Sequence, residues 1–511
     1  MSNTDTKMPE FTGMRARLWP IHTYELKKFI PLGIIMFCLL FNYTVLRDMK
    51  DALVLGSSGA ATMTFLKTSC VTPAAILFVI LYAKLSNALS RENVFYAVVT
   101  PFLIFFGAFA FVIYPNLQVL HPSQESVLAL HAAYPALSGF IDIYAYWAFS
   151  LFYVLSEIWG SAMIALMFWQ FANHVVRLRE SKRFYGLFAV IGNAALLASG
   201  PTVSFCSRNV ESIVSEGTDP FQITLYLLMS CVVILGLLAM YVYRWMHQNV
   251  LNDKLYFDPT ESGAPKKKKE KPGLWESLKI IIKSPELGLI ALLIMAYGVT
   301  INLVEVQWKN QLGLFCSGDK NLIGGYMGDL SYYTGWATII FGLTLGSNIL
   351  RKVSWAKAAM ITPLAILIGG GAFFCFILAE GLVDPFLQYF KTNAVTAAMF
   401  IGLGVVVISK SVKYALFDPT KEMAYIPLDE ELKSKGKAAV DVIGGRAGKA
   451  GGAGVQQLLL MAFATKDVVA IAPIAFGTFI VIAIAWLFAV KALSVKVSAA
   501  TAKRKLADDK L

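Results

Sequence analysis

The stretch "AMFIGLGVVVISKSVKYALFDPTKEMAYIPL" (Ala398–Leu428) decides the fold. Its first ten residues are apolar, as in a helix crossing hydrocarbon. Lys410 and Lys413 follow without a break, and Asp418, Lys421 and Glu422 come close behind. A charge at the centre of a lipid-facing helix costs roughly 2.5–3.5 kcal/mol or more. A membrane helix carrying two lysines must therefore turn them toward other helices or toward water. That points to a bundle of membrane helices around a charged interior.

The rest of the chain fits such a bundle. Of 511 residues, 57% are hydrophobic and 15% charged, whereas about a quarter of a soluble protein is charged. The first 28 residues are polar and basic, without the apolar core and small-residue cleavage site of a secretory signal. The six cysteines are scattered, show no metal spacing and read as free thiols. The expectation is an all-α polytopic membrane protein.

Stretches of about 20 apolar residues predict twelve spans. The first six cover 29–50, 66–85, 94–114, 143–172, 184–204 and 222–244. The second six cover 284–309, 331–350, 356–380, 393–417, 438–464 and 468–490. With both termini in the cytoplasm, the inside segments hold 32 basic residues. The outside loops hold only Arg208, Lys320, Lys391 and Lys466. This is the asymmetry of the positive-inside rule. The division is a segment 1–28, a six-helix half 29–248, a basic linker 249–283 containing "APKKKKEKPG", a second half 284–490 and a tail 491–511. The linker reads as a solvated spacer able to touch anionic lipid. "NYTVLRDMKDAL" (Asn42–Leu53) and "INLVEVQWKNQL" (Ile301–Leu312) open the two halves and align Lys50 with Lys309. Such a repeat suits a two-half transporter of the major facilitator type, with spans 1, 4, 7 and 10 around a central cavity.

Loops account for most of the basic residues. Lys67 and Arg244 sit near span ends, where snorkelling explains them. Arg47, Lys50, Lys309, Lys410, Lys413, Arg446 and Lys449 remain inside spans 1, 7, 10 and 11. Their acidic company is Asp48, Glu157, Glu305 and Asp441, with Asp51 and Asp142 at span edges. Internal salt bridges neutralise part of this set. The remaining positive excess suits a polyanion: phosphate, a sugar phosphate or a nucleotide. Arg47, Lys50, Lys413, Arg446 and Lys449 are the expected phosphate ligands, and Glu157 and Glu305 the substrate or coupling carboxylates. Tyr43, Asn193, Asn302 and Trp308 are candidates for base or ribose contact, although an aromatic residue in such a chain is more often packing or an interfacial anchor, and helix–helix hydrogen bonding explains the asparagines at least as well. Asp48, Lys309, Lys410, Asp418, Lys421, Glu422 and Asp441 form a gate or salt-bridge network.

In span 11, Gly444, Gly448 and Gly452 recur every four residues, which lets a neighbouring helix approach. "GGRAGKAG" (Gly444–Gly451) lacks the spacing and the Ser/Thr of a P-loop. Neither HExxH nor GxSxG occurs, so no enzyme is expected and no cofactor or metal is called for.

The chain resembles the nucleotide transporters (ATP/ADP translocases) of plastids and obligate intracellular bacteria. The resemblance spans residues 19 to 490. It rests on "WPIHTYELKKF", "FNYTVLRDMKDALV", "FLKT", "YAKLSNALS", "FYVLSEIWGS", "INLVEVQWK" and "SKSVKYALFDPTKEMAYIPLDEELKSKGKAAVDV". It implies import of host ATP in exchange for ADP and phosphate, or proton-coupled import of other nucleoside triphosphates. An organophosphate antiporter is the lesser alternative. The family's lysine in span 1, glutamates in spans 4 and 7 and lysine in span 11 match Lys50, Glu157, Glu305 and Lys449. The chain departs from the family in "GSSGAATMTFLKTSC" (Gly56–Cys70) and in its glycine-rich span 11. The expected setting is the bilayer of a bacterial inner membrane, with a monomer, nucleotide substrates and no nucleic-acid partner.

Overall fold

A computed structural model describes residues 19–212, 217–253, 281–346, 352–426 and 436–508, together with residues 15, 214, 256, 257, 279, 349 and 428. The linker's lysine run lies outside the described residues. Among those described, every regular element is a helix.

Within the described residues, nine helical stretches are long and apolar enough to cross a membrane. One of them, Thr23–Ala88, has 66 residues, a length of about 99 Å at 1.5 Å per residue. A bilayer core of ~30 Å cannot hold that in one pass. Non-helical backbone at Gly59 (φ 81°, ψ 176°) breaks it into spans 1 and 2. The positive φ is a conformation glycine adopts without a steric penalty. Two further helices, Lys320–Phe341 and Lys437–Ala462, have spanning length but carry charges and many glycines. They are spans 8 and 11, and with them each of the twelve expected spans has a helix among the described residues.

Local chemistry sets the boundaries. Ser284 caps span 7 (Pro285–Phe315), with Pro285 at its first turn. Asp219 and Pro220 start span 6 (Pro220–Asn249) in the same way. Asp319 accepts from the amides of Asn321 and Leu322 at 2.7 and 3.1 Å. This cap starts span 8 at Lys320, eleven residues before the expected 331. The run Lys320–Leu330 reads as loop in the sequence because Lys320, Asn321, Asp329 and three glycines interrupt its apolar residues, and its burial is against protein rather than lipid. The expected loop 115–141 also holds helix: Gln124–Ala133 meets Pro135–Ala145 at 118°.

Glycines set how closely spans cross. A Cβ on Gly448 would lie 3.1 Å from Met295 Cα, and one on Gly452 would lie 3.0 Å from the Val299 carbonyl. Span 11 therefore packs backbone to backbone on span 7, as the glycine repeat predicts. A second such crossing joins the halves. On span 5 (Leu178–Asn209) a Cβ at Gly200 would lie 2.7 Å from the Gly328 carbonyl of span 8. Large apolar side chains such as Leu77, Ile80, Leu81, Val481 and Phe488 are exposed on the outside, where lipid would cover them.

The ties between halves lie at mid-span and at the end away from the termini. Arg208 of span 5 pairs with Asp329 of span 8. Lys466, between spans 11 and 12, reaches Asp142 at 2.8 Å and His131 at 3.0 Å. Lys320 enters a cage of Tyr114, Phe149 and Phe221 at 5.7, 5.0 and 5.8 Å from their ring centres. At the termini end, ion pairs between described residues stay within one half: Lys28–Glu180, Arg183–Glu25, Lys496–Glu286 and Lys437–Glu422. The structure is thus closed at the far end.

This arrangement makes a prediction. Lys466→Glu would set two carboxylates side by side at the far end and is expected to slow transport several-fold in proteoliposomes. Adding Asp142→Lys should restore the rate, since the pair is rebuilt with its charges exchanged. A double variant as slow as the single one would argue against a latch.

Candidate functional site at mid-span

Span 1 brings Arg47, Asp48, Lys50 and Asp51 to the middle of the bundle. Asp51 is the hub. One of its oxygens lies 2.7 Å from Lys50 Nζ, and the other 2.7 Å from Lys309 Nζ of span 7. Lys50 also pairs with Glu157 of span 4 at 3.0 Å and lies 3.9 Å from the Tyr153 ring centre. A four-member relay, Glu157–Lys50–Asp51–Lys309, therefore crosses from one half to the other.

Its depth varies. The Lys50 and Asp51 side chains are each 2% exposed, while that of Glu157 is 28% exposed. Glu305 of span 7 pairs with Lys410 of span 10 at 2.8 Å, with side chains 16% and 21% exposed. Charges that stay partly accessible at mid-span border an open space, because hydrocarbon would not tolerate them. Spans 1, 4, 7 and 10 supply these groups, as the two-half architecture predicts.

A second cluster joins spans 1 and 8. Arg47 Nε lies 3.1 Å from Asp48, and its Nη2 donates to Ser331 Oγ at 2.6 Å. Ser331 Oγ in turn donates to Asp48 at 2.7 Å. The buried carboxylate is thus held from two sides.

Other expected residues fall elsewhere. Trp308 is fully buried and donates its indole N–H to the Met399 carbonyl at 3.0 Å. It is a packing residue between spans 7 and 10, not a base platform. Asn193 donates to Ala189, one turn back in its own helix, at 3.1 Å. Tyr43 packs against Gly160, with the Arg47 guanidinium 5.9 Å from its ring centre. Asn302 is buried beside Gly452, and its Oδ1 has no hydrogen-bond partner among the described residues. Lys413 pairs with Asp418 at 2.8 Å nearer the termini end, beside Tyr414 and Tyr297. Lys410 and Lys413 therefore exchange their expected places: Lys410 faces the central carboxylate, and Lys413 joins the peripheral network. Glu422 in that network meets Lys421 and Lys437. Asp441, Arg446 and Lys449 ride on span 11, but their side chains lie outside the described residues.

Three members of the cluster escape the sequence reading. Asp51 falls at a span edge when the span is ended at residue 50. The helix in fact continues to the break at Gly59, and the apolar "ALVL" after Asp51 is the available signal. Lys67 reads as a snorkelling residue at the start of span 2. The second limb begins just after Gly59, which carries Lys67 inward to the charged cluster of Lys50, Asp51, Glu305 and Lys309. Ser331 gives no signal, since a serine in a span is usually packing.

Relatives of the chain give this constellation its context. Residues 4–497 match the family model described as TLC ATP/ADP transporter. The chain belongs to that family. ADP,ATP carrier protein 1 of Chlamydia pneumoniae is 46% identical over 461 residues, covering 90% of this chain and 89% of that one. Chloroplastic ADP,ATP carrier protein 1 of Arabidopsis thaliana is 43% identical over 482 residues, covering 93% and 75%. Among solved structures, a variant of the nucleoside transporter NupG superposes with a TM-score of 0.57 over 91% of this chain and 99% of that one, at 14% identity. At that identity the likeness concerns the fold, which is major-facilitator-like. This TLC family member is an integral, multi-pass membrane protein.

Proposed function

We propose that the chain exchanges ATP for ADP, with phosphate accompanying ADP, by alternating access in a bacterial inner membrane with both termini in the cytoplasm. It acts as a monomer in the bilayer and needs no cofactor. The observation that carries this reading is the buried relay Glu157–Lys50–Asp51–Lys309, which ties the two halves through cations that a polyphosphate can claim. The names of the relatives as ADP,ATP carriers support the same substrates.

The mechanism follows from electrostatics. In the empty site, carboxylates occupy most of the cavity cations. Phosphate oxygens compete for Lys50, Lys309, Lys410 and Arg47, displacing Asp51 and Glu305 from their partners. Loss of the Asp51–Lys309 bond removes a tie between the halves, and the phosphates replace it with their own bridges. Closing an empty cavity puts the positive excess that the carboxylates do not neutralise into a low dielectric, where like-charge repulsion grows. A bound nucleotide removes that penalty, so the loaded protein crosses between states more readily than the empty one, and exchange results. Arg446 and Lys449 are further phosphate ligands in this reading, and Tyr43 and Asn302 contact base or ribose. Glu157, partly exposed at the edge of the relay, is the group that would carry a proton if transport were proton-coupled.

The deciding experiment is uptake of labelled ATP into vesicles loaded with ADP, with and without a proton gradient. Internal ADP should stimulate uptake, and the gradient should not. Stimulation by the gradient alone would favour proton-coupled import.

A further inference from the structure

We infer that Lys67 reads the terminal phosphate of the substrate, with the nucleotide lying phosphates-first toward the closed end of the site and base toward the termini. The inference rests on the nucleotide-exchange reading.

Six cations and five carboxylates of the mid-span region have described side chains. Arg47, Lys50, Lys309, Lys410 and Lys413 each lie within 4.0 Å of a carboxylate: Asp48, Asp51 or Glu157, Asp51, Glu305 and Asp418 in turn. Lys67 is the sixth. It senses Glu305 and Asp51 electrostatically, and Lys309 and Lys50 repel it. No salt bridge joins it to a described carboxylate. Every other cation of the six already shares its charge with a carboxylate, so part of the gain from a phosphate is lost. Lys67 surrenders none of these carboxylates, and a phosphate oxygen also relieves its repulsion from Lys50 and Lys309.

Depth places Lys67 with the cations at the closed end of the site. Asp51 lies eight residues before Gly59 and Lys67 eight after it, so both sit about 12 Å from the bend at the helical rise. The bend belongs to the closed end: a Cβ at neighbouring Gly56 would lie 2.8 Å from the Gly318 carbonyl in the other half. Thr68, next in sequence, bonds to Gln457 of span 11 and seals the site beside Lys67. The backbone of Leu66–Val71 is a π-turn, an irregularity that often marks functional positions in helices. Lys67 thus stands level with the Lys50–Asp51–Lys309 cluster, on the closed-end side of the site. Tyr43, eight residues before Asp51, lies about 12 Å nearer the termini, with Arg47 beside it. The Lys413–Tyr414–Tyr297 group is on the same side. Lys50, Lys67 and Lys309 are deep, while the rings of Tyr43, Tyr297 and Tyr414 lie shallower beside Arg47 and Lys413, an order that suits the terminal phosphates below and a stacked base above.

The test uses full-length protein in ADP-loaded proteoliposomes, with labelled ATP uptake competed by unlabelled ATP, ADP and AMP. In Lys67→Gln, the inhibition constant for ATP should rise about tenfold, the loss of one charge-assisted contact, while that for AMP stays within about twofold. Lys67→Arg should restore the preference for ATP. Removing this charge breaks no ion pair among the described residues, so Lys67→Gln should fold. Lys67→Met serves as a second neutral variant. Equal rises for all three nucleotides, or none, would overturn the proposal. Thermal stabilisation of the detergent-purified protein by ATP and AMP gives an exchange-independent reading. If wild type binds nucleotide but does not exchange it, exchange fails alone. If Lys67→Gln keeps the full ATP–AMP difference in stabilisation, the role of Lys67 fails.

Discussion

Asp51→Ala should abolish nucleotide uptake and lower the melting temperature. Asp51 is the one described carboxylate shared by Lys50 and Lys309, at 2.7 Å from each. Without it, Lys309 loses its ion pair while remaining only 6% exposed at the side chain. Removing one partner of a buried pair costs about 3–5 kcal/mol, because the other charge stays behind uncompensated. About 3 kcal/mol is roughly a hundredfold in an equilibrium, so uptake should fall at least that far. A double variant separates structure from transport: Asp51→Asn with Lys309→Gln removes both charges together. That pair should recover much of the lost melting temperature and none of the uptake. Recovery of uptake would mean that the relay only holds the halves together and does not handle substrate.

Gly328→Leu should trap the protein open at the far end. A Cβ at Gly328 would lie 2.6 Å from the Gly200 carbonyl and 2.8 Å from the Ser204 amide. Both are backbone atoms, which cannot rotate away as a side chain can. Overpacking within one rigid unit typically costs about 1–3 kcal/mol. Here spans 5 and 8 belong to different halves, so separation at the closed end relieves the clash. That movement also pulls Arg208 from Asp329. Uptake should drop about tenfold, matching a shift of about 1.4 kcal/mol, while the amount of folded protein stays near wild type. The readout is a single cysteine at Asn321, which is 7% exposed and bonded to Thr224 of the other half, in a chain freed of its native cysteines. An impermeant maleimide should label it faster in Gly328→Leu. Unchanged labelling with lost uptake would indicate misfolding or a different closed state.

The legible and illegible parts of this protein divide along one physical line. Lys410 and Lys413 announce a charged interior because hydrocarbon penalises a charge wherever the helix points. Gly448 and Gly452 announce a tight crossing because a missing Cβ has the same consequence in any register. Lys67 and Asp51 escape because each depends on where a helix ends. Polar residues blur that boundary when they are buried against protein, as they do again at the start of span 8.

From sequence alone come the membrane class, the twelve spans, the family and the surplus of buried cations. The family follows from resemblance to known sequences, and the other three from composition or pattern along the chain. The tertiary structure alone decides the pairing: Asp51 with Lys50 and Lys309, Glu305 with Lys410, Trp308 withdrawn into packing, and Lys67 beside the cluster without a salt bridge to any described carboxylate. Pairing depends on how far each helix is rotated and tilted against its neighbours. Those angles come from side chains meeting across spans hundreds of residues apart, and no spacing within one helix encodes them.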